Sequence, residues 1–304
     1  MVEVAKENAL PGLPFAGVEL GGTKCVCTLA YSPDHIIRQE TVVTTIPDET
    51  LGAIEALLSE WSKDGIAALG INSFGPVDLR MESPRFGYIT KTTKASWSDT
   101  DIVRRLASAA GTTVAFDTDV NGAARAEMRW GSGRGFNDFA YITVGTGIGV
   151  GLISNGLPTR GFGHSELGHV RPVRLLGDDW PGACSFHGDC VEGLASGTAL
   201  KARLQSRHVG DIPDDDPVWE SVVSALAQLC HTIVCAACPE RIAIGGGVME
   251  RQPHLLPRIQ QALTESLAGY VELPRADYVV APELGAQAGP MGSIALAMDA
   301  AAAR

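Results

Sequence analysis

The chain lacks an excess of positive charge, long apolar runs and the two commonest nucleotide-binding strings, and each absence removes a class of protein. Lys and Arg number 24 against 35 Asp and Glu, a formal net charge of −11 over 304 residues. Such a balance repels a phosphate backbone, and without a local basic patch nucleic acid is not an expected partner. No apolar run reaches the roughly 18 residues that suggest a membrane span, so no membrane association is expected. The opening stretch to Phe15 lacks the basic start and long apolar segment of a secretory leader, which points to a cytoplasmic protein. No GxxxxGK[ST] string occurs, and no GxGxxG opens a helix, so neither a P-loop nor a Rossmann dinucleotide site is expected. The seven cysteines, Cys25, Cys27, Cys184, Cys190, Cys230, Cys235 and Cys238, are an odd set. In a cytoplasmic setting their clustering favours a metal over disulfides.

A hydrophobic fraction of 45% is ample for one or two domains with large cores. Two segments share one plan. Phe15 to Leu20 is an apolar strand candidate, followed by the turn Gly21-Gly22-Thr23-Lys24 and a second apolar run, Cys25 to Ala30. Tyr141 to Val144 leads in the same way through Gly145-Thr146-Gly147 to Ile148–Ile153. Strand and helix patterns alternate elsewhere, with a helix over Leu51 to Lys63 before a strand over Ala67 to Ser73, and a helix over Val218 to Cys235 before a strand over Arg241 to Ile244. Alternation with a doubled beginning predicts two similar α/β lobes around a cleft. The expected boundary lies near Phe116 to Asp119, giving a smaller lobe over 1–118 and a larger one over 119–289. A C-terminal helix over about 290–304 is expected to return to the first lobe.

Three glycine turns are candidates for phosphate: Gly21 to Lys24, Gly145 to Gly149, and Gly245-Gly246-Gly247. Such turns let backbone N–H groups converge on an anion, and neighbouring threonine or lysine adds donors or charge. One alone could merely close a hairpin; three together argue for a nucleotide, and with the P-loop and Rossmann strings absent the remaining fold is a two-lobed ATPase of the actin and hexokinase, ribonuclease H-like, type. Between strand and helix stands Asp117-Thr118-Asp119-Val120-Asn121. A carboxylate there either caps the helix or takes a proton from a substrate hydroxyl. Two acids can divide that work, and Asp119 is taken as the base.

Cys184-Ser-Phe-His187-Gly-Asp-Cys190 spaces three soft ligands by three residues, and His169, fifteen residues before Cys184, supplies a fourth; His164 competes for that place. Four protein ligands make a structural zinc site, and a metal would give shape to the Gly- and Pro-rich stretch 161–193. Cys235 and Cys238, at the end of an apolar helix pattern, are expected to be core thiols. Glu166 and Glu192 flank the cluster as acceptors for sugar hydroxyls.

Taken together, Gly17-Val-Glu-Leu-Gly-Gly-Thr-Lys24, Asp117 to Asn121, Val144 to Gly151, Gly163-His-Ser-Glu-Leu-Gly-His169, the Cys184 to Cys190 cluster and Gly245 to Met249 resemble the motifs of the ROK sugar kinases, and within them the zinc-containing bacterial fructokinases. The resemblance runs from Phe15 to Met298. It implies Asp119 as base; Glu166, His169, Glu192 and Asn121 at the sugar; and His169, Cys184, His187 and Cys190 on zinc. Around Mg-ATP it implies Gly21, Gly22, Thr23, Lys24, Gly145, Thr146, Gly147, Thr198, Gly245, Gly246, Gly247, Val248 and Met249. A homodimer is implied as well. Thr118, His187 and the phrases Gly70 to Asp78 and Ser83 to Thr90 favour fructose over glucose, mannose or an N-acetylhexosamine, whereas Thr198 replaces the branch's usual proline. A repressor of this family would need an N-terminal helix-turn-helix, for which about fourteen residues before the first strand are too few. A silent sugar sensor would not need the intact Asp119 and all three loops.

Overall fold

A computed structural model describes residues 12–303 apart from 206 and 208. The first eleven residues, on which the expectations about a leader and an added DNA-binding domain rest, lie outside it. The first half of the described chain forms β1 (Phe15–Leu20), β2 (Lys24–Ser32), β3 (His35–Val43), α1 (Pro47–Trp61), β4 (Leu69–Ser73), a small hairpin of β5 (Tyr88–Ile89) and β6 (Thr100–Asp101), α2 (Val103–Ala110), β7 (Val114–Thr118) and α3 (Asp119–Trp130). The second half continues with β8 (Phe139–Val144), β9 (Ile148–Ser154), β10 (Leu157–Pro158), α4 (Val191–Ala195), α5 (Gly197–Leu204), α6 (Val218–Ala237), β11 (Arg241–Gly245), α7 (Gly247–Arg251), α8 (Leu255–Leu267), β12 (Val279–Val280) and α9 (Ala288–Ala302).

The doubled beginning becomes two sheets of one design. Their orders are β3-β2-β1-β4-β7 and β10-β9-β8-β11-β12. In each, the first three strands form an antiparallel meander and the last two add in parallel beside the first strand. Parallel addition requires crossovers, which the helices supply. Each sheet has its own apolar core, with Leu20, Ile54, Ile71 and Trp97 in one and Ile142, Trp219, Leu226 and Ile244 in the other.

The last helix of each half lies where the halves meet. α3 packs on β8, β9 and α9, and α9 packs across β1, β2, β4 and β7. Glycine makes this approach feasible: a Cβ at Gly70 would stand 1.9 Å from the Ser293 carbonyl oxygen, and one at Gly292 would stand 2.3 Å from the carbonyl carbon of Gly122. No side chain fits there, so α9 lies directly on β4 and α3.

Local differences from the sequence expectations have local causes. α1 begins at Pro47 rather than Leu51, because proline suits a first turn whose N–H has no partner and Asp48 and Glu49 favour the positive helix end. α6 is long and apolar enough to cross a bilayer by length and composition alone, and it packs instead against α4 and α8 with Leu226, Leu229 and Ile233 buried. Cys235 and Cys238 are exposed, correcting the expectation of core thiols. The buried stripe of α6 ends at Val234, and Cys238 caps the helix in the left-handed region at φ 44°.

Glu127, buried near the end of α3, accepts four hydrogen bonds: from Ser132 N at 2.7 Å, Ser132 Oγ at 2.8 Å, Glu283 N at 3.1 Å and Leu284 N at 2.8 Å. It ties α3 to the segment that leads into α9. Glu127→Ala strands three backbone donors, so a loss of about 3 kcal/mol or more is expected. Urea titration followed by circular dichroism checks this, and an unchanged midpoint would contradict it.

Candidate active site

Two of the glycine turns close the equivalent first hairpins of the duplicated sheets, and the third leads from β11 into α7. Between β1 and β2, Gly21 N donates to the Lys24 carbonyl at 3.1 Å, Thr44 Oγ1 donates to the Gly21 carbonyl at 2.7 Å, and Thr44 N donates to the Thr23 carbonyl at 3.0 Å. These bonds leave Gly22 and Thr23 exposed at the tip. Between β8 and β9, Gly145 N donates to the Gly147 carbonyl at 2.9 Å, and Thr198 Oγ1 at the start of α5 donates to the Thr146 carbonyl at 2.8 Å. β11 runs parallel to β8 with Gly245 opposite Thr143, so the third turn stands beside the second. Gly246 takes φ 92°, which favours glycine, and a Cβ there would meet the Val144 carbonyl at 2.7 Å. Val248 and Met249 turn their side chains into the second core and leave only backbone for a ligand.

The two aspartates have separated roles. Asp117 is fully buried and accepts from Thr118 N at 2.8 Å, Asn121 Nδ2 at 2.8 Å and Arg160 Nη2 at 2.6 Å. A carboxylate so engaged is a fixed anchor rather than a proton acceptor. Thr118, not an acid, caps α3 by accepting from Asn121 N at 3.2 Å. Asn121 is buried and its amide is turned to Asp117. Asp119 accepts from Val120 N at 2.9 Å, and among the described residues no side chain donates to it. Burial, followed by the neighbouring Glu166 charge, pushes its carboxyl up to about 7.

The metal-spaced residues converge. One donor atom from each of His169, Cys184, His187 and Cys190 lies within 4.8 Å of the others. His169 Nδ1 stands 3.8 Å from Cys184 Sγ and 3.6 Å from Cys190 Sγ, and His187 Nδ1 stands 3.7 Å from Cys184 Sγ. Bonds of about 2.0–2.3 Å to a tetrahedral ion imply edges of roughly 3.3–3.8 Å, which these three separations match, and the chemistry of two thiols and two imidazoles suits zinc. His164 is not among the four. Its Nε2 accepts from Val77 N at 3.1 Å, which puts the ring proton on Nδ1, 3.4 Å from Glu166 Oε1.

From this cluster the predicted sugar residues run back toward Asp119. His169 Nε2 is 4.0 Å from Glu166 Oε2, and its Nδ1 is 3.9 Å from Glu192 Oε1. Glu192 Oε2 accepts from Ile148 N at 3.0 Å, next to the second glycine turn. The Gly- and Pro-rich loop also has ionic support. Asp178 accepts from both Nη atoms of Arg203 at 3.1 and 3.0 Å and from Ser221 Oγ at 2.5 Å.

Sequence reasoning assigned no role to Glu19, which the structure places in this group. Burial first and the Asp119 charge second push its carboxyl up to about 7, with Lys24 opposing. It has no hydrogen-bond partner among the described residues. Its signal was an acid inside an apolar strand, one residue short of the strand's end at a glycine turn. Arg160, the counter-ion of Asp117, carried no such local signal.

The model of the ROK family matches residues 15–300. A fructokinase of Zymomonas mobilis is 41% identical, with 94% of this chain and 97% of that protein covered. A fructokinase of Pediococcus pentosaceus is 38% identical, with 94% and 98% covered. The crystal structure of a ROK family glucokinase from Streptomyces griseus, in complex with glucose and AMPPNP, aligns with a TM-score of 0.75 at 25% identity over 94% of this chain and 99% of that one. The match takes in both sheets, the glycine turns and the Cys-His cluster without a break, and the chain belongs to the ROK family.

Proposed function

We propose that this chain is an ATP-dependent fructokinase that transfers the γ-phosphoryl group to the 6-hydroxyl of D-fructose. The observation that carries the chemistry is Asp119, the aspartate of the pair left open to a substrate while its neighbour Asp117 is held by three donors. The choice of fructose rests on the Zymomonas and Pediococcus enzymes, both fructokinases, at 41% and 38% identity.

In this reading the sugar lies against Glu166, His169 and Glu192, with its reactive hydroxyl at Asp119. The hydroxyl oxygen bonds to the γ-phosphorus, the bond from that phosphorus to the bridging oxygen breaks, ADP leaves with the electron pair, and Asp119 takes the hydroxyl proton. Asp117, Arg160 and Asn121 hold the start of α3 in place, so Asn121 acts through Asp117. Backbone at Gly21 to Thr23, Gly145 to Gly147 and Gly245 to Met249, with Lys24, Thr146 and Thr198, receives ATP. Magnesium neutralises charge on the phosphates when bound, and Glu19, a hard oxygen ligand without a hydrogen-bond donor, would hold it. Zinc on His169 Nδ1, Cys184, His187 and Cys190 would fix His169 with Nε2 toward the sugar. Residues 1–118 with 290–304 would form the smaller lobe and 119–289 the larger, and the active form would be a cytoplasmic homodimer.

A coupled ADP-release assay across fructose, glucose, mannose and N-acetylhexosamines tests the substrate. Fructose is expected to have the highest kcat/KM, and a higher value for another hexose would reassign it. Activity should vanish on brief exposure to EDTA that spares the zinc and return with magnesium. Full turnover under EDTA would exclude the role of magnesium.

A further inference from the structure

We infer that Lys94, in the turn between β5 and β6, is a second cation for the transferring phosphate, so that a residue outside every glycine turn completes the ATP site. This rests on the reading of the β1–β2 turn as a phosphate turn.

Lys94 Nζ donates to the carbonyl oxygen of Gly22, seventy-two positions away in sequence, at the exposed tip of that turn. Its side chain is half-buried, and among the described residues it pairs with no carboxylate. The cleft is otherwise rich in acids: Glu19, Asp119, Glu166 and Glu192. Arg160 is spent on Asp117 at 2.6 Å. A triphosphate entering such a site needs positive charge that is not already neutralised, and Lys94 is a cation at the tip in that state.

The turn that carries Lys94 is built to hold it there. Trp97 is fully buried in the first core, packs edge-on against Phe74 with ring centroids 5.4 Å apart, and donates through Nε1 to the Thr45 carbonyl at 2.8 Å. Thr44, the preceding residue, donates to the carbonyls of Gly21 and Thr23 at 2.7 and 3.0 Å. Ser98 Oγ accepts from Thr92 N at 3.1 Å and closes the turn across its base. One connected set of bonds therefore positions both the glycine tip and the ammonium group. A lysine is a compact charge on a flexible stem, so Nζ can move from the Gly22 carbonyl to a phosphate oxygen without moving this frame.

The test compares Lys94→Met and Lys94→Arg with the parent enzyme. Lys94→Met is expected to lower kcat on the preferred hexose by about 10²-fold, the scale of losing one donor to developing charge, while the sugar KM stays within about threefold. Lys94→Arg, which keeps the charge, should recover at least about a tenth of the parent rate. Calorimetric titration of Lys94→Met should show AMPPNP weakened about tenfold and ADP less than about twofold, because only the former presents a γ-phosphate. A kcat within threefold of the parent overturns the proposal. So does equal weakening of AMPPNP and ADP, which would make Lys94 a tie for the glycine turn alone. Absence of hexose-dependent ADP release from the parent enzyme would instead overturn the kinase reading itself, before any variant is compared.

Discussion

Asp119→Asn is expected to lower kcat on fructose by about 10²- to 10⁴-fold, the usual contribution of a positioned general base. Asparagine keeps the shape and the hydrogen bond from Val120 N, so folding should survive and the loss should lie in turnover rather than in sugar affinity. The carboxylate must be ionised to accept a proton. Because burial and Glu166 push it up to about 7, kcat/KM of the parent should fall as pH drops below about 7, close to tenfold per unit, and level off above. Glu19, also pushed up to about 7 with Asp119 as one cause, titrates beside it, so the apparent midpoint belongs to the pair.

The same shift makes a stability prediction of opposite sign. A carboxyl whose folded pKa is raised binds its proton more tightly when folded, so its contribution is favourable below about pH 4 and is lost as pH rises through about 7. Asp119→Asn removes the ionisation and should therefore melt at a higher temperature than the parent at pH 8, with the gap closing near pH 4. Melting curves at the two pH values check this. A variant that turned over fructose within a few-fold of the parent would end the assignment of the base, whatever its stability.

Cys184→Ala or Cys190→Ala is expected to have the second-largest effect, through loss of the metal. The parent should hold one zinc per subunit by elemental analysis and each variant far less, because three remaining ligands leave the tetrahedron incomplete. The consequence for the sugar follows from geometry. His169 presents one ring nitrogen to Cys184 and Cys190 and the other to Glu166. Freed from the metal, the ring loses its orientation, and fructose KM should rise by about 10- to 100-fold, the scale seen when a ligand's supporting shell is disturbed. The loop should keep part of its shape, since Asp178 still binds Arg203 and Ser221. A folded, fully active parent without zinc would exclude the whole account of the cluster.

What could be read from the residues alone was whatever depends on short spacing. The strand-turn-strand units at Phe15 and Tyr141 fold as read, because alternating apolar runs around glycine carry their own local instructions. The Cys184 to Cys190 spacing likewise brings its three ligands together, and His169 joins them across one loop. Compressing both lobes into one duplicated α/β plan followed from the same repetition.

Tertiary structure decided everything that rests on partners distant in the chain. Which aspartate is free was settled by Arg160, forty-three positions from Asp117, since a carboxylate's availability depends on the donors around it and not on its neighbours in sequence. His164 left the competition for the metal because Val77, eighty-seven positions away, claims its Nε2. Lys94 became visible only when folding set its ammonium group against the glycine tip between β1 and β2. Cys235 and Cys238 emerged from the core because burial follows the end of the packed helix rather than the end of the apolar string. Local pattern specifies elements through backbone sterics and periodic burial, whereas charge state and ligand contact are set by through-space electrostatics, which only the assembled fold defines.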